Sequence, residues 1–340
     1  GIRDKLVTGV QTCAIPIYLG QIEGAFSFEE GFSRPDWNLI ARVIEGKVLD
    51  TEIDAAWTEA AWQWVYQLKG DLGGEYAISL SDKFILLSEL PKDEACRILH
   101  ALDTCEQKVR ANLGPLAWAN SVAKGVVLIF SDQDDYYQHL AYFYPDGVLP
   151  ASTGVQLTQG YPHIALVHEN ELDTINILIH ELSHLCVCHL PLPRWLDEGV
   201  ARTLERLIGH AALPKNHEGS MAAFWGAVSG WTPPVMWDEL AERHHAFWNE
   251  KNIQAFWAGV TFDAPDESSQ LSYSLAEVLV HLLGQDRQAF LAFLGRAQYQ
   301  DAGQAAAFEC LGVSLGDTVA TFLGAGKWQP LRKAIARYFG

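Results

Sequence analysis

The sequence predicts an α+β fold, and two observations carry that prediction. Short apolar runs with strand composition occur only before about residue 170, whereas apolar residues after 172 recur at helical spacing. Strands first and helices afterwards are typical of an α+β arrangement. The chain has 340 residues, 49% of them hydrophobic and 19% charged, so it is long enough to bury a substantial core.

The strand signals lie between Gly and Pro residues, and together they predict one small mixed sheet. Pro162 precedes the last apolar run and predicts an edge strand there. His163 and His168 in that run are interpreted as surface or half-buried side chains. The predicted strands are 76–80, 84–88, 126–130 and two within 152–168; the predicted helices of this part are 50–69, 92–113 and 132–144.

The chain is predicted to have four parts. Residues 1–17 resemble translated sequencing-adapter sequence and are expected to be a non-native leader. The others are an N-terminal helical lead-in at 18–72, a sheet-bearing half at 73–210 and a helical C-terminal subdomain at 211–340. Loops are predicted near 211–219, 229–235 and 260–269 because helical periodicity stops there.

The most informative motif is His180-Glu181-Leu-Ser-His184. Its flanks are apolar and predict a buried helix, which Asn170 or Asp173 caps and which the prolines after Leu190 end. Residues four apart lie above one another on a helix, so His180 and His184 aim at the same point. An H-E-x-x-H helix is typical of a catalytic zinc site in which the glutamate acts as the general base.

A third ligand is predicted from the helix that follows Pro193. Two helices joined by a short loop are expected to pack side by side, so Glu198 returns to the face that carries the two histidines. Two imidazoles and one carboxylate form a common zinc-ligand set, and we therefore expect one Zn²⁺ per chain at His180, His184 and Glu198.

These motifs resemble the gluzincin metallopeptidases, in particular the peptidase MA-like group, in which H-E-x-x-H is followed by Trp-Leu-x-Glu-Gly; here that second segment is Trp195-Leu-Asp-Glu198-Gly. The resemblance covers residues 173–207. It implies a zincin-like fold, zinc-dependent peptide-bond hydrolysis, and Glu181 as general base. The interval from His184 to Glu198 is shorter than in thermolysin-like enzymes, and the Gly-Ala-Met-Glu-Asn segment of related aminopeptidases is absent, so no aminopeptidase activity is inferred.

Peptide hydrolysis also needs a donor for the developing oxyanion, and Tyr273 is the candidate. His244, His245 and His281 compete for the role. The alternative for Tyr273 is a ring packed in the core with its hydroxyl on a backbone carbonyl.

Four further residues near the motif are candidates for ligation, hydrogen bonding or helix packing. Cys188 lies on the face of His184 and is either a ligand or a small buried side chain. Asp197 either hydrogen-bonds a ligating histidine or favours the positive end of its helix. Trp195 is expected to anchor the packing between the two zinc-bearing helices, and Gly199 to permit their close approach.

The net charge of −18 argues against nucleic acid and anionic membrane as partners, because phosphate binding needs clustered Lys and Arg. No apolar run is long enough for a membrane span, and the six cysteines show no disulfide-framework spacing. The expected partner is a peptide or protein substrate. The alternative function is a catalytically silent zincin-fold binding module, although such a module has little chemical need for Glu181.

Overall fold

A computed structural model of the chain describes residues 18–117, 123–150, 152–212 and 236–339. The predicted leader at 1–17, the predicted loop near 229–235 and most of the one near 211–219 lie outside the described residues.

The first half of the chain alternates strands and helices. In chain order its elements are β1 (Phe26–Glu29), β2 (Phe32–Pro35), α1 (Trp37–Lys47), α2 (Ile53–Leu72), β3 (Ala77–Leu80), β4 (Phe84–Ser88), α3 (Lys92–Leu113), β5 (Gly125–Phe130), α4 (Gln133–Ala141), β6 (Gly154–Leu157) and β7 (His163–Val167). The strands and helices predicted in this half are present, with bounds that differ by a few residues.

The second half is helical in its described part. Its helices are α5 (Glu171–Val187), α6 (Arg194–Ala212), α7 (Met236–Phe247), α8 (Ile253–Trp257), α9 (Glu267–Leu283), α10 (Arg287–Leu294), α11 (Gln304–Leu311), α12 (Leu315–Leu323) and α13 (Arg332–Phe339). The interruption predicted near 260–269 is present a few residues earlier, between Trp257 and Glu267, and it contains a 3-10 turn at Val260–Asp263. Asp266 caps α9 by accepting the backbone N–H of Ser268.

The main sheet is mixed, with strand order β3-β4-β5-β7-β6. β3 pairs with β4 antiparallel, whereas β4, β5 and β7 run parallel in register Phe84↔Gly125 and Val126↔His163. All five residues of β4 are buried, as expected for a strand covered on both faces. The predicted α+β class is therefore confirmed.

The prediction that β7 is an edge strand is wrong, since β7 lies between β5 and β6 in the strand order. Pro162 precedes the first residue of β7, so its missing N–H removes no bond from within the strand. The interpretation of His163 as a surface or half-buried residue is also wrong, because only 1% of it is exposed.

A hairpin in the N-terminal lead-in was not predicted. β1 and β2 pair antiparallel through a two-residue turn at Glu30 and Gly31, whose φ angles of 49° and 78° are both positive. Two positive φ angles define the type I′ turn that suits hairpins, but the usual sequence signal is Asn-Gly or Asp-Gly. Glu-Gly does not give that signal. A small core then forms beneath the hairpin around Ile40 and Ile44 of α1 and Ala60 of α2.

Contacts divide the chain into two compact units. The first comprises Gly1–Asp103, Asn120–Leu149 and Leu157–His168; the second comprises Thr104–Ala119, Pro150–Gln156 and Glu169–Gly340. The first unit contains β4, β5 and β7, and the second contains every helix from α5 onward. The four-part division expected from the sequence stays a prediction.

Within the described ranges, no single helix has the length and hydropathy of a membrane span. One strongly bent pair, α11 with α12, meets the criteria only when the two are taken together, across a bend of 89°. The five cysteines of the described part are free thiols.

Candidate metal centre

Helix α5 carries the H-E-x-x-H motif as a buried platform. Asn170 caps it by accepting the backbone N–H of Asp173, one of the two caps expected. The helix ends at Val187, and after the loop with Pro191 and Pro193 the chain re-enters a helix at Arg194. Helices α5 and α6 pack extensively against each other. This arrangement brings the two motifs together within the second unit.

The three predicted ligands meet at one point. Nε2 of His180 and Nε2 of His184 lie 3.1 Å apart. Oε2 of Glu198 lies 3.4 Å from each of these nitrogens. Ligand atoms about 2.05 Å from a tetrahedral zinc ion are about 3.3 Å apart, so the triangle has the dimensions that zinc requires. Among the described residues this is the one group of three potential ligands close enough to hold a metal ion.

The chemistry of this donor set also fits a cation. Glu198 is only 7% exposed, and its Oε2 is buried without a hydrogen-bond partner in the described structure. An ionised oxygen buried without compensation is costly, whereas a metal ion between this oxygen and the two imidazoles would satisfy it. Two neutral imidazoles with one carboxylate are ligands that suit zinc.

Both histidines face a carboxylate with their other ring nitrogen. Nδ1 of His180 lies 3.1 Å from Oε2 of Glu205, and Nδ1 of His184 lies 3.0 Å from Oδ1 of Asp197. A carboxylate at Nδ1 holds the proton on that nitrogen, which leaves Nε2 with a lone pair for a metal. Asp197 therefore lies beside His184, the position that the first of its two expected roles requires.

The electrostatics of the centre are negative. Burial would raise the pKa of Glu198, but the adjacent imidazoles of His184 and His180 hold that pKa well below its usual range. Burial opposes protonation of His180 and His184, yet the neighbouring carboxylates raise the pKa of both above the usual value. Three carboxylates, from Asp197, Glu198 and Glu205, therefore contact two imidazoles, which favours a bound cation.

Glu181 lies beside the three candidate ligands and outside their group. Glu181 is only 9% exposed, and its carboxylate accepts a hydrogen bond from the backbone N–H of Gln156 in β6. Burial raises the pKa of Glu181 above its usual value, although the nearby histidines oppose this shift. This is the location the sequence predicts for the general base.

Tyr273 lies near Glu198, on helix α9. It is half-buried, its ring meets that of Phe262 edge-on at 5.2 Å, and its hydroxyl hydrogen-bonds Arg194. Burial, and next the negative charge of Glu198, raise the pKa of Tyr273, so the hydroxyl keeps its proton at neutral pH. Its role as oxyanion donor stays a prediction.

The competing histidines lie in other surroundings. His244 is fully buried, its Nδ1 accepts the indole N–H of Trp248 at 2.9 Å, and its Nε2 lies 2.7 Å from Oγ of Ser274. Because Nδ1 is the acceptor, Nε2 carries the proton and donates to Ser274. His244 therefore has both nitrogens engaged. The ring of His245 stacks on Phe322, and the pKa of His281 is lowered by burial and by Arg206.

Two packing expectations near the centre need correction. Gly199 faces α9 and not α5, because a Cβ atom there would lie 2.7 Å from the carbonyl oxygen of Ala276. Trp195 is fully buried, but it packs edge-on against Trp257 and donates its indole N–H to Ala302 O at 3.0 Å. Both residues thus fix α6 to the C-terminal helices. Cys188, the residue after α5, is exposed and outside the ligand group.

Sequence reasoning missed three residues of the centre. Glu205 follows Glu198 by seven residues, so its place on the same face of α6 was readable from helical spacing. Arg194 precedes Glu198 by four residues, so its contact with Glu198 was readable in the same way. Gln156 gave no such signal, since its contact with Glu181 depends on tertiary structure.

Comparison of the chain with models of known protein families and with curated proteins gave no match.

Proposed function

We propose that this chain is a zinc-dependent peptidase with a zincin-like fold of the gluzincin type. The observation that carries the proposal is the triangle of His180 Nε2, His184 Nε2 and Glu198 Oε2, whose edges of 3.1, 3.4 and 3.4 Å match tetrahedral zinc and whose carboxylate oxygen is otherwise unpartnered.

The residues divide the chemistry between them. Bound zinc supplies a Lewis acid that polarises a carbonyl and brings the pKa of water toward 7. Glu181 accepts the proton from the attacking water and passes it to the leaving amine, because it lies next to the ligands but does not ligate. Asp197 and Glu205 fix the orientation of the two imidazoles. Tyr273 is our candidate donor to the oxyanion.

Metal content and turnover, measured on the same preparations, test the proposal. The wild-type chain is expected to hold one zinc per chain by elemental analysis and to cleave members of a broad peptide library. His180→Ala should lose the metal. Glu181→Gln should keep it and lose turnover, whereas the matched variant Glu267→Gln, at the exposed start of α9, should behave as wild type.

Each outcome decides between functions. Zinc without cleavage in the wild type would favour the catalytically silent binding module. Absence of zinc from the wild type would reject the site. Full activity in Glu181→Gln would reject the assignment of the general base.

A further inference from the structure

The two carboxylate oxygens of Glu198 have different partners. Oε2 faces the two histidines at 3.4 Å, as described above. Oε1 lies 3.5 Å from Nε of Arg194, the first residue of α6 and one helical turn before Glu198. One oxygen is thus directed to the ligand group and the other to a guanidinium.

Arg194 is itself held on several sides. Its two terminal nitrogens contact both oxygens of Asp263, with Nη2 2.8 Å from Oδ1. The guanidinium carbon lies 5.5 Å from the centre of the Phe262 ring, and the hydroxyl of Tyr273 hydrogen-bonds the group. Gly259 packs so closely that a Cβ there would lie 3.0 Å from Cβ of Arg194.

These contacts restrict the half-buried side chain of Arg194 more than a single surface ion pair would. A bidentate arginine–carboxylate pair adds geometric specificity, and the ring beneath the guanidinium adds cation–π attraction. Because Arg194 is anchored, Oε1 of Glu198 has a fixed partner. A carboxylate without such a partner is able to bind a metal ion through one oxygen or through both.

We propose that Arg194 is a positioning residue that keeps Oε1 of Glu198 on its guanidinium, so that Glu198 presents Oε2 alone to a metal ion. The inference rests on the proposed metal site. Its consequence is that Glu198 takes one coordination position and not two, which is the ligand arrangement that catalytic zinc sites use when a fourth position receives water. Asp263 contributes by holding Arg194.

Cobalt(II) tests this geometry directly, because four-coordinate cobalt(II) absorbs visible light more strongly than the five-coordinate ion. We would load the full chain with cobalt(II) and compare wild type with Arg194→Met, which keeps the aliphatic stem and removes the donors. Asp263→Asn is a milder variant at an exposed side chain. Arg296→Gln is the matched control, since Arg296 and Glu309 form a remote exposed pair at 3.9 Å.

The expected result for Arg194→Met is one cobalt per chain with visible absorption reduced about two-fold or more, and kcat about ten- to a hundred-fold lower. Asp263→Asn should shift the spectrum in the same direction by less, and carries the test if Arg194→Met does not fold. Arg296→Gln should match wild type.

Two results would overturn the proposal: a wild-type cobalt spectrum in both Arg194→Met and Asp263→Asn, or loss of the metal from Arg194→Met, which would mean that Arg194 holds the site together. Failure of the wild type to bind cobalt or zinc would instead reject the proposed function, so the two failures are distinguishable.

Discussion

Replacing Gly199 with alanine tests how α6 is held against α9. An added Cβ would lie 2.7 Å from the backbone oxygen of Ala276 and 2.7 Å from Cγ2 of Val280. Non-bonded carbon contacts are most favourable from about 3.5 Å, so the helices would have to separate by about 0.8 Å. The obstacle at Ala276 is backbone, which a side-chain rotation does not remove.

The expected cost follows from two opposing terms. Overpacking a close-packed interface costs about 1–3 kcal/mol, and a backbone clash belongs at the upper end of that range. Alanine recovers about 1 kcal/mol relative to glycine in a helix. The net expectation is a free energy of unfolding about 2 kcal/mol lower for Gly199→Ala. Zinc affinity should also fall, since Glu198 is the adjacent residue and moves with the helix.

The matched control is Gly70→Ala. Gly70 lies in α2, and a Cβ there would meet nothing within 4 Å. The same substitution should therefore stabilise by about 0.5–1 kcal/mol. Urea unfolding followed by fluorescence of the 12 tryptophans measures both variants. If Gly199→Ala were as stable as wild type, the packing argument would be refuted.

Two further predictions concern the carboxylate behind His180 and the buried histidine of the sheet. Glu205→Gln should lower the zinc affinity about 10- to 100-fold, because His180 loses an ionised partner at Nδ1. Competition with a chromogenic chelator measures that affinity, and an unchanged value would contradict the prediction. Burial lowers the pKa of His163 from about 6.5 to about 4 in the folded protein. As the pH falls, the unfolded chain therefore binds a proton at His163 near pH 6.5, whereas the folded protein binds it only near pH 4. His163 should therefore lower the free energy of unfolding by about 3 kcal/mol between pH 6.5 and pH 4, and this loss should not increase further below pH 4. The urea midpoint should therefore fall less with decreasing pH in His163→Gln than in wild type. An equal pH dependence in the two proteins would contradict this prediction.

The sequence was sufficient to predict that His180, His184 and Glu198 come together, because their relation is local. The four-residue interval from His180 to His184 puts both imidazoles on one face of any helix. Glu198 required one more step, the short loop with two prolines, and that loop forces α6 back along α5.

The surroundings of the ligands depend on distant parts of the chain. Asp263 is 69 residues from Arg194, and no periodicity relates the two positions. The predicted packing partners of Gly199 and Trp195 were wrong for a related reason. A buried helix is apolar on several sides, so its sequence does not say which neighbour each side meets. The hairpin at 26–35 was missed because its turn uses Glu30 in a left-handed conformation.

The position of Glu181 is the strongest argument for an enzyme over a silent binding module. A metal site needs only the ligands and the groups that orient them, and here those are accounted for by His180, His184, Glu198 and their carboxylate partners. Glu181 adds another carboxylate to a centre that is already negative, and burial raises its pKa. An ionisable group placed there is unfavourable for stability. The same carboxylate next to a metal is where a proton acceptor for hydrolysis has to be, so catalysis gives a reason for its presence that metal binding does not.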